Sequence, residues 1–208
     1  MSGLRFYSIG VSRHRIGSDG VGVTTLVGGH GCPLGCKYCL NPQCKRGSAP
    51  FSFTAEELYG KVSIDRLYFD ATGGGITFGG GEPLLQAEFI RGFIEYTRKQ
   101  GEKWRFSLET CASVHNDKLA LLDSLIDEYI VDIKDMNAHI YKSYTGQGIE
   151  LLYSSLGHLA NFPEKVRIKI PLIEGFNTAS DVDASESVLR GMGFVTFERL
   201  TYVTDVRK

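Results

Sequence analysis

Between residues 21 and 203 six short runs rich in β-branched residues alternate with five longer amphipathic stretches. Short apolar or alternating runs read as strands, and apolar residues at 3.6-residue spacing read as helix. Strands are expected over 21–28, 75–79, 105–110, 129–134, 166–173 and 194–203. Thr54 and Glu57 form a capping box ahead of a helix whose apolar periodicity begins at Leu58. Further helices are expected over 85–99, 117–127, 150–160 and 181–192. Strands alternating with helices call for a parallel α/β architecture. A complete eight-unit barrel needs roughly 250 residues, so six units need roughly 185. The expectation is therefore an α/β fold, an open partial (β/α)6 TIM-like barrel, in one domain over 1–208. Residues 1 to about 20 read as an N-terminal extension and 21–203 as the barrel. A doubly wound sheet is the rival, but no Gly-x-Gly-x-x-Gly fingerprint supports it. With 42% hydrophobic and 23% charged residues, a full core is expected.

Cys32, Cys36 and Cys39 lie in Gly31-Cys32-Pro33-Leu34-Gly35-Cys36-Lys37-Tyr38-Cys39, three thiols on one short loop after the first strand. Cubane iron–sulfur clusters are usually held by four cysteines, so three leave one iron open. Closed metal sites are structural, and sites with an open position do chemistry. The alternatives are a zinc knuckle or cysteines that are only packed. Cys44 extends the spacing and is a candidate fourth ligand, but it would fill the open position. Cys111 reads equally as a small buried residue. The five histidines show no metal-binding spacing, and Trp104 reads as core.

The second strand, Ile76 to Phe78, ends in Gly79-Gly80-Gly81-Glu82-Pro83. Successive glycines let the backbone approach a ligand closely. Glu82 adds a charge suited to an ammonium, and such a loop belongs at the carboxyl end of a barrel strand, where active sites lie. Glu109-Thr110 ends the third strand and Asp132-Ile133-Lys134 the fourth. Asp132 and Lys134 share a face by alternation, suiting a hydroxyl and a carboxylate, or forming a structural ion pair. Lys169 and Arg167 share a face of the fifth strand, and either cation could serve.

A net charge of −1 argues against a nucleic-acid footprint. The first ten residues lack the apolar core of a secretory signal, and no apolar run approaches about 18 residues, so neither export nor a membrane span is expected. A reducing cytoplasm is the consistent compartment for clustered free thiols.

The cysteine loop, with Tyr38 before its third cysteine, resembles the signature of the radical S-adenosylmethionine (radical SAM) superfamily. Gly80-Gly81-Glu82-Pro83 is similar to the superfamily motif that grips the methionine amino group. Within it the chain resembles the glycyl-radical-enzyme activating enzymes, from about Arg15 to Gly193. Asp19-Gly20-Val21-Gly22, Asn41-Pro42, Asp132-Ile133-Lys134-Asp135-Met136-Asn137 and Tyr144-Thr145-Gly146 carry that likeness. The resemblance implies a 4Fe–4S cluster on Cys32, Cys36 and Cys39, with S-adenosylmethionine near Tyr38, Gly80, Gly81 and Glu82. It implies Asp132 at the ribose, Lys134 at the carboxylate, Lys169 as a further contact, and a monovalent cation near Glu109 and Thr110. It implies reductive cleavage to a 5′-deoxyadenosyl radical that takes hydrogen from a glycine of a partner glycyl radical enzyme. A flavodoxin or ferredoxin would donate the electron. The other readings are a radical enzyme acting on a ribosomal peptide or small molecule, and a non-catalytic zinc or iron–sulfur protein. Three features depart from the family: Val21 for proline, Lys169 for arginine, and a C-terminus, Leu200 to Lys208, without the Pro-Tyr/Phe-His segment.

Overall fold

The computed structural model describes residues 3–202. Val203, the last residue of the sixth expected strand, and the divergent tail to Lys208 lie outside them. Eight strands form one sheet: β1 (Phe6–Ile16), β2 (Val23–Gly29), β3 (Phe51–Phe53), β4 (Gly75–Gly80), β5 (Arg105–Thr110), β6 (Glu128–Asp132), β7 (Val166–Leu172) and β8 (Thr196–Thr201). Their order is β3-β1-β2-β4-β5-β6-β7-β8, so the sheet is open, with β3 and β8 at its edges. The six expected strands are the run from β2 through β8; β1 and β3 are additional and antiparallel. The fold is the α/β, partial-barrel class expected. The helices are α1 (Ala55–Val62), α2 (Arg66–Thr72), α3 (Ala87–Lys99), α4 (Asn116–Ala120), α5 (Ala138–Thr145), α6 (Glu150–Leu159) and α7 (Ala179–Gly191).

Some boundaries differ from the sequence expectation for local reasons. The helix expected over 117–127 stops at Ala120, because Leu122 and Leu125 turn tightly, each donating its N–H to the carbonyl three residues back. The one expected from Leu85 begins at Ala87, after a 3₁₀ turn over Pro83–Gln86. The β6 strand ends at Asp132, which leaves Lys134 two residues past the strand end.

The backbone packs as two compact units. The first runs up to Cys32 and includes Asn41–Thr110 and Asp117–Tyr129; the second comprises Pro33–Leu40, Cys111–Asn116 and Ile130 onward. In the first, Phe89, Ile90, Phe93 and Ile94 bury one face of α3. Ring contacts run from Phe6 to Phe78 at 5.6 Å, on to Phe93 at 5.8 Å and to Phe106 at 6.3 Å. Aromatic pairs at such offsets add to the burial energy itself. Trp104 is buried between Tyr59 and Phe69, as a core residue should be. In the second unit, α7 starts under a capping box made by Thr178 and Asp181, and β7 pairs in parallel with β8.

The parallel register of β2 with β4 positions the site. It sets Gly29 opposite Gly80, so the two strands end level and their following loops leave from the same edge.

Candidate active site

The Gly-Gly-Glu-Pro turn is joined to the start of the cysteine loop by backbone hydrogen bonds. Gly81 donates its N–H to the Gly29 carbonyl at 2.9 Å, and Glu82 donates to Gly31 at 2.7 Å. Gly31, the residue before Cys32, donates in turn to the Cys44 carbonyl at 2.7 Å. The Asn41 side-chain amide donates to the Gly80 carbonyl at 3.0 Å. Glycine is required twice here. Gly80 has φ +87°, and a Cβ on it would stand 2.8 Å from Gly28 Cα. A Cβ on Gly81 would collide with the Gly31 carbonyl oxygen.

Glu82 is wholly buried. Its carboxylate accepts from the Thr110 hydroxyl, whose oxygen lies 2.8 and 2.9 Å from the two Oε atoms, and from the Leu84 N–H at 3.0 Å. The side chain thus caps the Pro83–Gln86 turn and anchors it to the end of β5. Glu109 is half-buried one residue earlier. A Cβ on Gly79 would stand 3.2 Å from Glu109 Oε2, so glycine there makes room for this carboxylate.

The second unit carries the other expected contacts. Lys134 is buried and its Nζ contacts Asp132 Oδ2 in an ion pair. The same Nζ donates to the Tyr202 hydroxyl at 3.0 Å and sits 5.3 Å from that ring's centre. Burial pulls the ammonium's pKa down. The Asp132 carboxylate and its neighbours outweigh that, and hold Lys134 well above the ordinary lysine value. Asp132 Oδ1 is buried and without a hydrogen-bond partner among the described residues. Tyr38 is 40% exposed, and its ring lies 5.8 Å from Phe176 and 6.4 Å from Tyr144. Gly35 and Lys37 donate to the Thr145 and Tyr144 carbonyls at 2.6 and 3.1 Å, which fixes this part of the cysteine loop on the end of α5. On β7, Arg167 is ion-paired with Glu198 at 3.2 Å, while Lys169 stands half-buried in register with Glu198.

Cys32, Cys36 and Cys39 are half-exposed and outside any disulfide, whereas Cys44 is buried in the 3₁₀ turn Pro42–Lys45. Among the described residues no three His, Cys, Asp or Glu side chains converge as a single metal ion would require. Three thiols on one loop are instead a soft donor set of the kind that holds an iron–sulfur cluster. Sequence reasoning missed Tyr202 in the second unit and Gln86 in the first. The Gln86 amide accepts from the Tyr7 N–H at 2.7 Å and donates to its carbonyl at 2.9 Å, pinning β1 to the turn.

A family model described as the radical SAM superfamily matches residues 26–180. The chain is 35% identical over 151 residues to the pyruvate formate-lyase-activating enzyme of Clostridium pasteurianum, covering 73% of this chain and 62% of that one. It is 30% identical over 170 residues to the pyruvate formate-lyase-activating enzyme of Staphylococcus aureus (strain USA300), covering 78% and 67%. The chain thus spans about two thirds of the length of these relatives. A solved domain of pyruvate-formate lyase-activating enzyme from Bacteroides vulgatus superposes with a TM-score of 0.55 at 24% identity, over 65% of this chain and 84% of that one, a likeness of fold. The family match over most of the chain, together with these relatives, decides the kinship: the chain belongs to the radical SAM superfamily, in the branch of the glycyl-radical-enzyme activating enzymes.

Proposed function

We propose that this chain is a radical S-adenosylmethionine enzyme that installs a glycyl radical on a partner enzyme. The superfamily implies a 4Fe–4S cluster and S-adenosylmethionine. When bound, the pair supplies one-electron reductive cleavage of the C5′–S bond, giving methionine and a 5′-deoxyadenosyl radical that takes hydrogen from a glycine Cα. The protein's part is to bind, orient and exclude water. Cys32, Cys36 and Cys39 hold the cluster. The Gly80-Gly81 backbone and the Glu82 charge receive the methionine amino group, and Tyr38 flanks the cluster side. Asp132 accepts from a ribose hydroxyl through its unspent Oδ1, Lys134 takes the carboxylate, and Lys169 adds a second cation. Glu109 with Thr110 offers oxygens to a monovalent cation. The electron comes from a flavodoxin or ferredoxin, in a reducing cytoplasm; no helix among the described residues is long and apolar enough to cross a membrane.

The observation that most supports this is the bonding of the Gly-Gly-Glu-Pro turn to the base of the cysteine loop through Gly81–Gly29 and Glu82–Gly31. A merely structural cluster has no use for a glycine turn fixed beside it. Anaerobically reconstituted and reduced protein should convert S-adenosylmethionine to 5′-deoxyadenosine and methionine. With its partner it should give a protein-centred doublet in electron paramagnetic resonance that oxygen abolishes. Deoxyadenosine without a doublet, against every glycyl radical enzyme of the host, would favour a peptide or small-molecule substrate. No deoxyadenosine at all would falsify the radical reading.

A further inference from the structure

We propose that Tyr202 is a positioning residue for S-adenosylmethionine: its hydroxyl holds the Lys134 ammonium where the cofactor's carboxylate must meet it. The proposal rests on the functional reading above and concerns a residue in the stretch from Leu200 that departs from the family pattern. Tyr202 follows the last residue of β8, and its N–H donates to the Leu172 carbonyl at 2.9 Å, at the end of β7. Lys134 stands two residues past the end of β6. Both therefore lie at carboxyl ends of strands, where barrel active sites are built.

The hydrogen-bond inventory points the same way. A lysine ammonium has three N–H donors and no acceptor. Asp132 Oδ2 and the Tyr202 hydroxyl take two of them. Among the described residues the pair as a whole keeps one N–H and one buried carboxylate oxygen, Asp132 Oδ1, unspent. One donor beside one acceptor suits a ligand carboxylate next to a ligand hydroxyl. A phenol is the right second partner for the lysine, because it lends a lone pair without cancelling the positive charge a carboxylate ligand needs. Asp132 already balances the ammonium, so a second acidic residue there would leave the site net negative and repel a carboxylate ligand.

Packing makes the phenol rigid. Tyr202 is 9% exposed and clusters with Tyr144 and Ile173, and Cys36 and Phe176 pack against that cluster. The residue that steadies Lys134 thus belongs to the cluster against which Cys36, a cysteine of the loop, packs. A cation on a flexible four-carbon stem loses rotamer freedom on binding, and fixing it beforehand removes part of that cost.

The experiment measures S-adenosylmethionine binding to the cluster-loaded protein by calorimetry, alongside the unfolding temperature. Tyr202→Phe keeps the ring and removes the hydroxyl. It should weaken S-adenosylmethionine about tenfold, as loss of a hydrogen bond to a charged group does. Decarboxylated S-adenosylmethionine, which has no carboxylate for Lys134, should bind wild type and Tyr202→Phe alike. In a Lys134→Ala background, Tyr202→Phe should have no further effect, the signature of one residue acting through another. Equal weakening of both ligands, additive losses, or an unchanged affinity for S-adenosylmethionine would overturn the proposal. Wild-type protein that binds neither ligand would overturn the functional reading itself, and the proposal with it.

Discussion

Thr110 directs its single hydroxyl proton at the Glu82 carboxylate, with both carboxylate oxygens within 2.9 Å. Both residues are buried, Glu82 completely. A buried carboxylate that loses a donor bears the desolvation cost of the missing bond, about 1–3 kcal/mol. Thr110→Val keeps the shape and removes the proton, so it should lower stability by about that amount and weaken S-adenosylmethionine binding. Thr110→Ser should restore both. Urea denaturation and calorimetry on the two variants decide it, and a Val variant as stable as wild type would mean that other donors hold Glu82.

The cysteines should divide by environment. Single Cys→Ala changes at 32, 36 and 39 should abolish the brown colour of reconstituted protein and its complement of about four irons per chain. Cys44 is buried and joins the loop through its backbone, its carbonyl accepting from Gly31 and its N–H donating to Asn41. Those bonds survive truncation of the side chain, so Cys44→Ala should keep the cluster, as should Cys111→Ala. Iron analysis and the visible spectrum are the measurements. A colourless Cys44→Ala protein would give that residue a ligand's part.

Local signals were the legible ones. The capping box of Thr54 and Glu57 opens α1 as its spacing announces, and β5 spans the expected residues 105–110. The Gly-Gly-Glu-Pro run could be read as a strand-end turn because its glycines have no other economical use. β1 was illegible because only its first residues alternate between buried and exposed, after which Ser12, Arg13 and His14 are exposed in succession. Its place is fixed from outside, by the antiparallel partners β2 and β3 and by Gln86, 79 residues away. α2 was hidden because Leu67 is 81% exposed, so its apolar residues do not mark the buried face. Tyr202 gave no signal for the same kind of reason. Its partner Lys134 lies 68 residues earlier, and only the fold brings strand ends together.

Gly81 offers a sharper test of the turn than any charged residue. An alanine methyl there would meet the Gly31 carbonyl oxygen, a backbone atom that cannot swing aside as a side chain can. The turn must then shift, breaking the bonds from Gly81 to Gly29 and from Glu82 to Gly31. Gly81→Ala should therefore abolish measurable S-adenosylmethionine binding. Gly157→Ala, a helical position where a Cβ meets nothing within 4 Å, is the control and should bind normally.

Asp65 should make the first unit acid-sensitive. Its buried carboxylate is held by Arg13 through two hydrogen-bonding nitrogens, by the Thr25 hydroxyl at 2.7 Å, and by His14 Nε2 at 3.0 Å from Oδ1. Burial raises its pKa, but the bonds from Arg13 and Thr25 outweigh that and leave it below the ordinary carboxylate value. The folded state therefore holds the proton less tightly than the unfolded chain does. Its stabilisation is complete above the unfolded value of about 3.9, and drains away as pH falls through the lower folded value. Asp65→Asn removes this titration and leaves Arg13 facing a neutral amide, so it should be less stable than wild type at neutral pH. The gap between the two proteins should narrow below about pH 4, as the wild-type carboxylate takes up its proton. Unfolding curves of both proteins across that range measure it. A gap that stays constant on acidification would show that Asp65 gains no folding energy from its charge.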